Sequence, residues 1–102
     1  MIKVLIREEK DKIVSIVLTG HAESADEGKD LVCAGVSTCF LGALKAISDQ
    51  SQFEMSYSKG KGEITVKGHP SSHDQIVLQV LKEQLTFVAE QKPQFVRIDY
   101  SK

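Results

Sequence analysis

Between Val32 and Ile47 the chain carries a single charge, Lys45. Val36, Phe40, Leu44 and Ile47 recur there at spacings of four, four and three, the repeat of one helical face. Ala34, Gly35, Cys39, Gly42, Ala43 and Ala46 fill the other faces, so the helix predicted over Leu31 to Gln50 is apolar or small almost all round. A helix of that kind is buried on more than one side. It carries more apolar surface than one sheet can cover, and this predicts a homodimer.

Strand-like alternation flanks it. Ile2, Val4 and Ile6 share one face of residues 2–7, and Val14, Ile16 and Leu18 share one face of residues 13–19. The polar EEKDK between them predicts an antiparallel hairpin of unreadable turn type, and Gly20 marks its end. A second hairpin follows the helix, with Phe53, Met55 and Tyr57 alternating before SKGKG, and Ile64 and Val66 after it. HPSSHDQ then breaks at Pro70 and offers a capping-box pattern, Ser72 with Gln75, before a helix with Val77, Leu81, Leu85 and Val88 on one face. Pro93 ends that helix, and FVRIDY predicts a closing strand with Val96, Ile98 and Tyr100 inward. The order ββαββαβ predicts an α+β layer fold, two helices packed on a mostly antiparallel or mixed five-strand sheet.

The 102 residues suit a single domain over 1–102 that buries its core without disulfide or metal staples. With 41% hydrophobic and 26% charged residues the balance is that of a soluble globular chain. A net charge of -1 gives no broad basic surface, so direct nucleic-acid binding is not expected. The opening MIKVLIREEK lacks an apolar signal region, which predicts a cytoplasmic protein with no membrane contact. Cys33 and Cys39, six apart on one helix, point about 120° from each other and cannot pair there. His69 and His73 are four apart, but Pro70 and the cap at Ser72 keep them off a shared helical face. No metal and no cofactor is expected.

The stretch GHAESADEGKDLVCAG, residues 20–35, places a histidine and a thiol twelve positions apart. A cysteine nucleophile needs thiolate at neutral pH, and a helix N-terminus favours it through free N–H groups and the macrodipole. If Asp30 is the N-cap, Cys33 lies in the first turn, where the same N–H groups can hold an oxyanion. His21, at the end of a strand, can reach that thiol as a base when the next helix folds back over the strand. Asp30 can cap the helix, orient His21, or do both; Ser37, one turn after Cys33, can serve the site or fill a close helix contact. The segment Ala22, Glu23, Ser24, Ala25, Asp26, Glu27, Gly28, Lys29 has no bulky apolar anchor, which predicts a mobile loop over the site. A cysteine in an apolar helix is, taken alone, most often a small core residue.

GHA at 20–22, followed by Asp30, Val32, Cys33, Ala34, Gly35 and Ser37, resembles the signature of the Prp family, the ribosomal-processing cysteine proteases of Gram-positive and related bacteria. The resemblance extends to chain length and element order. It implies a Cys-His dyad in which Cys33 attacks a peptide carbonyl and His21 acts as base and then acid, with Gly20, Asp30, Ala34 and Ser37 in support. It also implies a substrate, the precursor of large-subunit ribosomal protein twenty-seven, cut after an apolar stretch ending in Phe-Phe, and a homodimeric enzyme. Two other readings use the same residues. One is a non-catalytic assembly factor that grips a ribosomal protein; the other is a thiol-based redox protein, for which Cys39 points the wrong way to resolve Cys33.

Overall fold

The computed structural model describes residues 1–20, 27–58 and 60–101, with side chains from residue 31 onward in the first helix. Ile2–Glu9 (β1) and Lys12–Thr19 (β2) form the first hairpin. Its corner is Lys10 and Asp11, with φ of 52° and 64°. Two successive left-handed residues make the mirror-image turn whose twist matches that of the strands, and its usual sequence flag, Asn-Gly or Asp-Gly, is absent. The alternation predicts Val14 inward beside Ile16 and Leu18, but the ladder slips between Arg7 and Glu8, which face Ser15 and Ile13. Val14 is the extra residue of that bulge. It stays half-buried while Ile13 joins the core.

The remaining elements are Glu27–Ala46 (α1), Phe53–Ser58 (β3), Lys61–Val66 (β4), Ser72–Gln91 (α2) and Val96–Ser101 (β5), with a short 3-10 turn at Gln50–Gln52. The sheet order is β3-β4-β2-β1-β5. The ladders β1·β2, β2·β4 and β3·β4 are antiparallel, and β1·β5 is parallel. The sheet is therefore mixed, with five strands. Ile2, Val4, Ile6, Ile16, Leu18, Ile64 and Val96 point to one side and meet Val32, Val36, Phe40 and Ala43 of α1 and Leu78, Leu81 and Leu85 of α2 in one core. Lys3, Leu5 and Arg7 alternate outward and are exposed. Two layers result, helices on one face of the sheet and solvent on the other.

Four local expectations change. α1 runs from Glu27 to Ala46 rather than from Leu31 to Gln50, so Glu27, Gly28 and Lys29 belong to a helix and not to a loop. Glutamate and lysine are good helix formers and carry the extra turn past Gly28. Ala43, not Leu44, is the fully buried residue of the last turns, with Leu44 packed at the margin. The cap of α2 is Ser71 rather than Ser72: Ser71 Oγ accepts from the Asp74 N–H at 3.1 Å, and Gln75 Nε2 donates to the Pro70 carbonyl at 2.9 Å. Tyr100 is 53% exposed, because β5 is an edge strand that the end of α2 covers only in part.

Asp74 is the one charged residue in the core of the described chain. Its Oδ1 accepts from the Ser48 N–H at 2.8 Å and the Ser48 hydroxyl at 3.0 Å, and lies 2.8 Å from His73 Nδ1; Oδ2 accepts from the Asp49 N–H at 3.0 Å. This carboxylate takes over the N–H groups that follow α1, and it thereby joins the end of α1 to the start of α2. Burial pushes its carboxyl up, but the Ser48 N–H, His73, the Asp49 N–H and the Ser48 hydroxyl together hold it well below the usual carboxylate range.

Candidate active site

β2 ends at Thr19, and Gly20 turns the chain out of the sheet with φ of 98°. A Cβ at this position would overlap the Met1 carbonyl oxygen, so both the angle and the close approach require glycine. The Gly20 N–H donates to the Gly60 carbonyl at 3.0 Å, which ties the exit of β2 to the β3–β4 turn. His21 and Ala22, Glu23, Ser24, Ala25 and Asp26 lie outside the described residues.

On the helix side, the early start of α1 makes Asp30 its fourth residue and Cys33 its seventh. The expectation that Asp30 caps the helix and places Cys33 in the first turn is therefore corrected. Unsatisfied N–H groups and the strongest dipole field belong to the first turn, so the amide of a seventh residue is already inside the helical ladder. The Cys33 amide is therefore not the free helix-terminal donor that the sequence predicts for an oxyanion.

Cys33 is half-buried and opens on a cleft of about 40 Å³. Val36 and Ser37 of α1, Gly20 at the end of β2, and Tyr57, Gly60 and Gly62 of the second hairpin also line it. The structure thus brings together Gly20, Cys33 and Ser37. It leaves Ala34 exposed and outside the cleft. Tyr57 was not legible as a site residue. It alternates with Phe53 and Met55 as a plain inward residue would, and the only hint is an aromatic ring with a polar end beside a turn.

Tyr57 bridges the hairpin to the helix. Its hydroxyl lies 3.0 Å from Ser37 Oγ, and its ring meets that of Phe40 with centroids 5.9 Å apart. Gly62 pairs with Tyr57 across the β3·β4 ladder, and a Cβ there would come within 2.7 Å of Phe40 Cε1. Phe40 is fully buried, so any shift of its ring presses on the core. Gly62→Ala is expected to overpack this corner and cost about 2 kcal/mol, read as a lower urea midpoint at unchanged slope.

Cys39 faces a different space, an apolar groove of about 410 Å³ between the two helices, floored by Gly42, Ala43 and Ala46 and walled by Ile76 and Val80. The two thiols of α1 thus line separate cavities. His69 is exposed, its N–H donating to Gln52 Oε1 at 2.7 Å, while His73 is engaged with Asp74. Among the described residues no three His, Cys, Asp or Glu side chains converge as metal ligands, and no helix is long and apolar enough to cross a membrane.

Comparison with known proteins adds to this geometry. Residues 1–97 match the family model described as cysteine protease Prp. A ribosomal processing cysteine protease Prp of Staphylococcus aureus is 25% identical over 96 residues, covering 90% of this chain and 91% of the relative. The fold superposes on an essential ribosomal processing protease Prp from S. aureus in complex with a substrate peptide, with a TM-score of 0.81, 25% identity, and coverage of 99% of this chain and 100% of that one. The S. aureus protease with a covalently linked product peptide gives a TM-score of 0.85 at 27% identity, again over 99% and 100% of the two chains.

Proposed function

Because the chain belongs to the Prp family of cysteine proteases, we propose that Cys33 and His21 form its catalytic dyad and that it removes the N-terminal extension of large-subunit ribosomal protein twenty-seven, cutting after Phe-Phe. The observation that carries the dyad is the cleft shared by Cys33 and Gly20, the residue immediately before His21. His21 takes the thiol proton, and the Cys33 sulfur adds to the scissile carbonyl carbon while the carbonyl π pair moves onto oxygen. Collapse of that intermediate expels the amine, which receives the proton from His21, and leaves a thioester. His21 then deprotonates a water that attacks the thioester, and the thiolate is restored. This chemistry needs no cofactor.

The reading extends to the whole of residues 1–102 acting as one catalytic domain in the cytoplasm. Incubation with the precursor ribosomal protein, followed by intact-mass measurement, tests it. Two products that sum to the precursor plus one water, the smaller ending in Phe-Phe, are expected. Binding without any mass change favours the non-catalytic assembly factor instead, and a mass gain on Cys33 under peroxide without cleavage favours a redox protein.

A homodimer is part of the same reading. Leu31 and Leu41 of α1 are 74% and 44% exposed, and Ile76 and Val80 of α2 are 62% and 49% exposed, so the outer faces of both helices present apolar surface around the inter-helix groove. A second copy covers such surface most simply. Sedimentation is expected to give twice the 11.3 kDa of one chain, and a monomer at micromolar concentration overturns the dimer.

A further inference from the structure

Among the described residues no helix-terminal N–H lines the cleft at Cys33, and the hydroxyl of Ser37 is a side-chain donor that does. Ser37 is four residues after Cys33 on α1, and residues at that spacing share a helix face. Its Oγ lies 3.0 Å from the Tyr57 hydroxyl, and both side chains line the cleft with Cys33. If Tyr57 donates, the serine oxygen is the acceptor and the hydrogen of Ser37 must point elsewhere. No other hydrogen bond of that hydroxyl occurs among the described residues.

Building on the protease reading, we infer that Tyr57 is a positioning residue, which holds the Ser37 hydroxyl with its hydrogen directed into the cleft, toward the substrate carbonyl oxygen. As the Cys33 sulfur bonds to the carbonyl carbon and the π pair moves onto oxygen, Ser37 donates a hydrogen bond to that oxygen without transferring its proton. Tyr57 never touches the reacting atoms. Tyr57 is 41% exposed, and its ring rests on that of buried Phe40, with centroids 5.9 Å apart, which favours one placement of the hydroxyl beside Ser37.

The kinetics of Tyr57→Phe, Ser37→Ala and the double variant, measured on a peptide spanning the Phe-Phe site, test this. Tyr57→Phe keeps the ring on Phe40 and removes only the hydroxyl, so its melting temperature is expected to match the wild type. Ser37→Ala is expected to lower kcat about a hundredfold, the usual cost of one oxyanion donor. Tyr57→Phe is expected to lower kcat about tenfold with KM unchanged, and to have no further effect once Ser37 is alanine. Three results overturn the inference while leaving the protease reading intact: wild-type kinetics for Tyr57→Phe, an effect confined to KM, or losses that multiply in the double variant. A wild-type protein that does not cleave the peptide overturns both together.

Discussion

Cys33→Ala is expected to yield a folded protein in which cleavage of the ribosomal precursor falls by about 10⁴-fold or more. Alanine keeps the helix, and Cys33 is only half-buried at the margin of the core, so the loss cannot be attributed to unfolding. His21→Ala is expected to cost about as much, and the double variant little more, because nucleophile and base act as one unit. Cys39→Ala, in the other cavity, should cut normally. The second-turn position of Cys33 sharpens the expectation. With the helix dipole weak there, the proposed dyad leaves His21 as the activating group, so His21→Ala should also slow iodoacetamide labelling of Cys33. Full cleavage by Cys33→Ala rejects the dyad, and unchanged labelling in His21→Ala returns the activation to the helix.

The largest effect on stability is expected at Asp74. Asp74→Ala strands the Ser48 and Asp49 N–H groups between the helices and is expected to cost about 3 kcal/mol at neutral pH, measured by urea unfolding. Its pH dependence has a definite sign. The folded carboxyl is held below its ordinary value of 3.8, so the unfolded chain takes up the proton first as pH falls. Wild-type stabilisation from this group is complete above about pH 5 and drains away below about pH 4. The gap between wild type and Asp74→Ala should therefore narrow on acidification. A gap that stays constant from about pH 7 to about pH 3 shows that the carboxylate charge contributes nothing.

Periodicity carried the architecture wherever one face of an element is buried along its length. Ile2, Val4 and Ile6 in β1, and Val36 and Phe40 in α1, read directly as core, and the ββαββαβ order with two helices on a five-strand sheet followed from such patterns, while the strand order and the parallel β1·β5 ladder did not. What stayed hidden is local hydrogen-bond bookkeeping. Val14 alternates correctly in sequence, and only the slip opposite Glu8 turns it out of the core. Asp74 reads as an ordinary acidic residue of a first helical turn, since nothing in the sequence shows that residues 48 and 49 come to meet it. Tyr57 alternates like a core aromatic, yet it is exposed and meets Ser37, twenty residues earlier, and neither fact shows in the sequence. The thiol itself was legible, but its depth along α1 depended on whether a glycine at position 28 would stop a helix, and propensity alone leaves that open.

The parallel pairing of β1 with β5 also governs how the molecule is assembled. Both hairpins and both helices are short-range structures that can organise from neighbouring residues, whereas Ile2 meets Val96 across almost the entire described chain. Closing so large a loop costs more chain entropy than either hairpin does, and the β1·β5 ladder is the contact of greatest sequence separation in the sheet. Without β5 the edge of β1, rich in Ile, Val and Leu, would offer unpaired backbone groups to another strand. The fifth strand thus covers an edge of β1 that would otherwise invite misassociation.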